Sequence, residues 1–265
     1  GTSLALALKA ARSDIEIVGH DPDSEHVKRA KELKAIDRNH WNLISSCENA
    51  DLVVLDLPLS ELEKDLEGLG KYLNAKTVII DTSPLKRPVM EMAGRLLPKT
   101  AQFVGGHLVS NNLIAGSSEP AAELVKDATF FMVAAEQLSA ETVNLATTFA
   151  EAVGATPRFI DAEEHDGLMA ATAGLPLAGA LAILAAVSDP AGLQERCKGV
   201  GAELLSMGAQ LGATPEATAE LALGNAEYLV PWIDACIAKL EDLRQALADK
   251  DRDAMDRYAA QVHDT

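Results

Sequence analysis

Aromatic side chains are scarce in this sequence: 2 Trp, 3 Tyr and 5 Phe make up 4% of its 265 residues. With 48% hydrophobic residues overall, the core must be filled by Leu, Ile, Val and Ala, a composition that favours helices. Cysteine is scarcer still. Cys47, Cys197 and Cys236 are odd in number, far apart and form no Cys-x-x-Cys pair. That excludes a disulfide framework and a clustered metal site, and reads as reduced, packed thiols in a cytoplasmic protein. Positive charge is also short, with 23 Lys and Arg against 40 Asp and Glu, a formal net charge of −17. Such a surface repels phosphate backbones and anionic lipid heads, which argues against nucleic acid or a membrane as partner. An anionic substrate would have to be met by local cations. The first residues show neither the basic stretch nor the cleavage site of a signal peptide.

One hydrophobic run is long. No charged residue lies between Gly167 and Ser188, enough to span a bilayer. The run is rich in Ala and Gly, holds Pro176, and is flanked by Glu163, Glu164, Asp166 and Asp189 rather than by basic residues. It is expected to be a buried helix or helix pair in a soluble core.

The length suits two modest domains, and the patterning changes once along the chain. Gly1-Thr2-Ser3 opens a helix, and Ile15-Glu16-Ile17-Val18-Gly19-His20-Asp21 reads as a strand ending in an acid. This is the second half of a dinucleotide-binding βαβ unit, with Gly1 as the third glycine of G-x-G-x-x-G. The first strand and first two glycines are missing, so a fragment, or a chain without its first dozen or so residues, is expected. A helix over residues 24–33, capped by Ser24, comes next. A strand over 50–58 stops at Pro58, and Ser60 with Glu63 has the spacing of a capping box. Strands over 77–81, 102–106, 128–133 and 157–160 alternate with helices over 84–97 and 139–153. This order predicts an α/β fold, a Rossmann-like doubly wound and mostly parallel sheet. After Asp161 no strand pattern remains, and an all-α dimerisation domain is expected. Residues 1–162 form the first expected domain and 163–265 the second. Ile233, Ile237, Leu240, Leu243 and Leu247 make an apolar stripe on a long helix, either core or a dimer seam.

Ligands in such sheets collect at the carboxyl ends of the strands. His107 follows Gly105-Gly106 at one strand end, and Ser83 and Lys86 lie on the loop after another. Lys86 is a candidate cation for an anionic substrate, and Ser83 can reach a nicotinamide or the substrate. Asp21 is placed to accept hydrogen bonds from an adenosine ribose, or simply precedes a turn at Pro22. With Asp23 beside it and Arg29 the next Arg along the chain, NAD is favoured over NADP. Pro58 borders the cofactor or merely ends a strand. Arg196 and Lys198, beside Cys197, are candidate anion binders by elimination. Asp166 reads as an acid serving a helix start.

Together these segments resemble the prephenate/arogenate dehydrogenase family of tyrosine biosynthesis over nearly the whole chain. The resemblance rests on Gly1-Thr2-Ser3-Leu4-Ala5-Leu6-Ala7-Leu8-Lys9, Val18-Gly19-His20-Asp21, Ala50-Asp51-Leu52-Val53-Val54 and Asp81-Thr82-Ser83-Pro84-Leu85-Lys86. Phe103-Val104-Gly105-Gly106-His107 and Glu164-His165-Asp166-Gly167-Leu168-Met169-Ala170-Ala171 complete it. It implies an NAD(P)-binding domain, a helical domain that forms a homodimer, and oxidative decarboxylation of prephenate or arogenate. In the family the His after Gly-Gly takes the ring hydroxyl proton, a role that falls on His107, with Ser83 near nicotinamide and substrate. The chain departs from the family pattern at Leu108-Val109-Ser110-Asn111-Asn112, at Ala173-Gly174-Leu175-Pro176-Leu177, where two histidines are absent, and around Lys198-Gly199-Val200-Gly201, where a carboxylate-binding Arg is absent. Prephenate is a dianion, so Lys86, Arg196 or a partner subunit must supply charge. Two alternatives stay open. One is a catalytically degenerate homologue kept for dimerisation or nucleotide sensing. The other is a β-hydroxyacid-type dehydrogenase, although no Lys lies between Lys126 and Lys198 to serve it.

Overall fold

A computed structural model of the chain describes residues 1–74, 76–110, 119–135, 138–188, 206–208, 211 and 214–263. Five strands form the main sheet: β3 (Leu52–Leu55), β4 (Val78–Asp81), β5 (Gln102–Val109), β6 (Thr129–Ala134) and β7 (Thr156–Phe159), side by side in that order. Pairing is parallel except between β5 and β6, which run antiparallel. The strands β1 (Val18–Gly19) and β2 (Arg38–Asn39) pair in parallel as a separate two-stranded sheet. This is the expected Rossmann-like, mostly parallel architecture.

Alternation along the strands divides the core into two layers. On one face Ile80, Val104, Phe130 and Met132 pack against Leu4 and Ala7 of α1 (Thr2–Ala11) and Ala146, Phe149 and Ala150 of α6 (Ala140–Ala152). On the other, Val53, Leu55, Ile79 and Phe103 meet α4 (Leu59–Tyr72) and α5 (Arg87–Leu96). Leu62, Leu66 and Leu69 repeat at helical spacing on α4 and are fully buried, each worth about 1.5–3 kcal/mol of transfer free energy. The short helices α2 (Ser24–Glu32) and α3 (Leu43–Cys47) flank the small sheet.

Two expected caps move. Asp23, not Ser24, caps α2, accepting from the Glu25 amide at 2.8 Å. The helix α4 starts directly after Pro58, so Ser60 lies inside it and forms no capping box. Proline stops the strand and presets φ for a helix start, which leaves no room for a separate cap.

After β7 the elements of the described residues are all helical. Asp161 caps α7 (Ala162–Met169), a π-turn spans Ala170–Gly174, and α8 (Leu175–Ser188) continues the same rod. Then come α9 (Pro215–Gly224), capped by Thr214, α10 (Ala226–Asp249) and α11 (Arg252–His263). The rod over residues 162–187 is long and apolar enough to cross a membrane, with a mean hydropathy of 2.0. Among the described residues, 17% of its apolar window is buried. Leu181 and Ile183 on α8, and Trp232, Ile237, Leu240 and Leu247 on α10, are exposed. Of the apolar stripe on the long helix, Ile237, Leu240 and Leu247 are exposed, while Ile233 and Leu243 are half-buried.

Candidate active site

The site is built from the end of β4, the middle of β5 and the start of α7. β4 delivers Asp81, fully buried, at its last position. One carboxylate oxygen accepts the Gly106 amide at 2.9 Å, and the other accepts the Ser83 amide at 2.9 Å and the Lys86 ammonium at 2.6 Å. The ammonium also donates to the Gly106 carbonyl. This closes the 82–86 loop against β5. The two glycines of β5 allow the approach. A Cβ on Gly106 would lie 2.4 Å from the Asp81 carbonyl oxygen, and one on Gly105 would lie 2.7 Å from Met90 Sδ.

The expectation that Lys86 meets an anionic substrate is corrected here. Its side chain is 0% exposed and its charge is spent on Asp81. Burial pushes the ammonium below its ordinary pKa, against the pull of Asp81 and Asp166. Lys86 braces the loop. The Ser83 hydroxyl, 3% exposed, has no hydrogen-bond partner among the described residues, an expensive state for a buried polar group.

His107 does not end its strand, since β5 continues to Val109 through antiparallel pairing with β6. It does sit just past Val104, where parallel pairing with β4 stops. Its Nδ1 lies 3.0 Å from Nε2 of His165, whose Nδ1 lies 2.7 Å from an Asp166 carboxylate oxygen. His165 is completely buried, edge-on to His107 and to Phe131. Asp166 also accepts the Lys86 and Arg87 amides, each at 2.8 Å, and so caps α5, which has no cap of its own. Asn225 at the head of α10 holds the Asp166 carbonyl at 2.9 Å.

Burial first, then the electrostatic influence of the neighbouring His165 and Lys86, holds His107 well below the ordinary histidine pKa. It is neutral at pH 7. Burial would raise the Asp166 carboxyl, but hydrogen bonds from His165 and the Lys86 and Arg87 amides outweigh that and hold it low. A neutral imidazole anchored at one nitrogen can accept a proton at the other.

The remaining expected residues make none of these contacts. Gly1 opens α1 beside Asp56, with no side-chain cap on the helix. Asp21 follows β1 and accepts from the Asp23 amide at 2.8 Å and from His26 at 3.3 Å. Arg29 is engaged by Glu119 and Glu32. Pro58 immediately precedes α4. Arg196, with Cys197 and Lys198, lies outside the described residues. His165 was not among the expected site residues, and Asp166 was expected only to serve a helix start. Their signal was the His-Asp pair itself, at the opening of a long uncharged run.

Comparison with known families decides the class. The nucleotide-binding domain of prephenate dehydrogenase, as a family model, matches residues 4–158, and the dimerization domain of prephenate dehydrogenase matches residues 161–261. The chain belongs to the prephenate dehydrogenase family. It is an oxidoreductase-family chain with an NAD-type nucleotide-binding domain. Cyclohexadienyl dehydrogenase of Zymomonas mobilis is 28% identical over 260 residues, covering 96% of this chain and 87% of the relative. Prephenate dehydrogenase of Bacillus subtilis is 23% identical, over 97% of this chain and 70% of the relative. Among solved structures, prephenate dehydrogenase of A. aeolicus with hydroxyphenyl propionate and NAD+ superposes with a TM-score of 0.84 at 20% identity, covering 99% and 92% of the two chains. Synechocystis arogenate dehydrogenase follows at 0.77 and 20%, covering 99% and 94%. Both likenesses are of fold.

Proposed function

We propose that this family member oxidises prephenate or arogenate, with His107 as the base that takes the ring hydroxyl proton. The observation that carries this reading is His107 itself: neutral, held through Nδ1, and without a partner at Nε2 among the described residues. The residues fit a nicotinamide cofactor. The Ser83 hydroxyl needs a hydrogen-bond partner, the amides at the start of α1 lack a side-chain cap and suit a pyrophosphate, and Asp21 suits a ribose hydroxyl. NAD is preferred over NADP, because Asp21 repels a 2′-phosphate and Arg29 is already paired. Pro58 borders the cofactor where β3 gives way to α4. When bound, the cofactor accepts the hydride from the carbon bearing the hydroxyl. His107 receives the proton, and the electrons of the breaking bond to the carboxylate carbon restore the aromatic ring as carbon dioxide leaves. With Lys86 withdrawn, Arg196 or a partner subunit remains to meet the substrate carboxylate.

Residues 1–162 act as the nucleotide-binding domain and 163–265 as the helical one, since strands end at Phe159 and the two family matches change over at the same place. The second domain pairs two copies through the apolar faces of α8 and α10. The acidic charge and the few, widely spaced cysteines support a cytoplasmic location. The deciding experiment follows NADH absorbance with prephenate and with arogenate, in the natural chain and in His107→Ala. Oxidation of either compound, lost in the variant, is expected. Tight NAD binding with no turnover of either would overturn the reading in favour of a degenerate, nucleotide-sensing homologue.

A further inference from the structure

The geometry points to His165 as a positioning residue that fixes the tautomer of His107, keeping its proton on Nδ1 and leaving Nε2 as the basic atom. The inference rests on the reading of His107 as the base and adds what makes one particular nitrogen basic.

The argument starts at Asp166. Its carboxylate is locked by two backbone amides, Lys86 and Arg87, at 2.8 Å each, so it cannot rotate away from His165. An ionised carboxylate only accepts, so the His165 Nδ1 at 2.7 Å must be the donor. A neutral imidazole that donates from Nδ1 has its lone pair on Nε2. That lone pair faces His107 Nδ1 at 3.0 Å, which must then carry the hydrogen. His107 Nε2 is left with a lone pair and no partner among the described residues. In water the free side chain prefers the opposite tautomer, with its hydrogen on Nε2, which could not accept a proton there. The protein has therefore imposed the reactive form.

The same chain handles the proton after it arrives. As Nε2 takes the hydroxyl proton, the hydrogen on His107 Nδ1 passes to His165 Nε2. The positive charge then rests on His165, in contact with Asp166 and away from the buried Lys86. No atom is left over: one proton enters at Nε2 and one leaves Nδ1, so His107 returns to neutrality. This is the logic of a base oriented by a third group, built here from two histidines and an acid. His165 touches neither substrate nor cofactor in this scheme.

Nitrogen-15 NMR of the intact, labelled protein tests it without any substrate. His107 is assigned among the 6 histidines by its absence in His107→Gln. At neutral pH the natural protein is expected to show His107 protonated at Nδ1 and bare at Nε2. In His165→Leu the hydrogen should move to Nε2, and turnover should fall about 100-fold or more with KM little changed. His165→Gln can accept from Nδ1 through its amide oxygen and should retain the Nδ1 tautomer and most of the turnover. Protonation of Nε2 in the natural protein would overturn the proposal, as would an unchanged tautomer in His165→Leu. If His165→Leu does not fold, loss of the Nδ1 tautomer or of turnover in a folded His165→Gln would overturn it equally. If the natural protein oxidises nothing, the dehydrogenase reading fails, while the tautomer measurement still decides this one.

Discussion

The Lys86 ammonium and the Asp81 carboxylate meet at 2.6 Å with neither side chain exposed. A buried pair of this kind is costly to break, because the surviving partner keeps its charge without water or counter-charge. Lys86→Met is expected to lower stability by about 3–5 kcal/mol, measured by urea unfolding. Adding Asp81→Leu to it should recover part of that loss. A Lys86→Met protein as stable as the natural one would show that the pair contributes nothing.

Glycine is required at Gly106 and optional at Gly94. A side chain at Gly106 would meet backbone 2.4 Å away, whereas Gly94, inside α5, has nothing within 4 Å. Gly106→Ala should cost about 1–3 kcal/mol or more and displace the 82–86 loop. Gly94→Ala should stabilise by about 0.5–1 kcal/mol through helix propensity. Opposite signs in thermal denaturation are the expected result.

Asp21→Ala should weaken NAD roughly tenfold, the worth of a hydrogen bond to a charged group. NADP should gain relative to NAD in the same variant, since the repulsive carboxylate is gone. Fluorescence titration with both cofactors measures the two effects. An unchanged ratio would remove Asp21 from the cofactor site.

The buried neutral His107 makes stability depend on pH in a definite direction. Its folded pKa lies well below that of the unfolded chain, owing first to burial and then to the electrostatic influence of His165 and Lys86. The unfolded chain therefore binds the proton first as pH falls. The contribution of His107 is complete above about pH 6.5 and is lost progressively below it, towards the folded pKa. Urea unfolding from about pH 7.5 down to about pH 5 should show falling stability, and His107→Gln should flatten that slope.

The uncovered apolar faces predict association. Ile237 and Leu240 lie exposed on α10, near the middle of the helix. Ile237→Asp should convert a dimer into a monomer in sedimentation. It should also abolish the dependence of melting temperature on protein concentration that a dimer shows. A natural protein that sediments as a monomer at all concentrations would exclude the dimer.

The sequence shows the main sheet well because β3, β4 and β6 are short apolar runs and each main helix carries its own periodic face, whereas β2, Arg38–Asn39, holds no apolar residue and leaves no such signal. His107 is conspicuous through the glycine pair before it, and Ser83 through its place after a strand. What stays hidden depends on partners distant in the chain. Lys86 looks like a surface cation until β5, 20 residues on, closes over it. Asp166 looks like a helix-start acid, and it does cap a helix, but α5, 80 residues earlier, rather than its own. The apolar run after Asp161 reads as core by composition, yet only 17% of its apolar window is buried among the described residues.

The capping of α5 by Asp166 also sets where the molecule can be divided. Strands give way to helices near residue 161, and a biochemist wanting the nucleotide-binding half alone would cut there. Such a cut would strip two amides of their acceptor and take away the imidazole beside His107. The smallest self-sufficient module instead keeps α7. The covalent boundary and the energetic one are a whole helix apart.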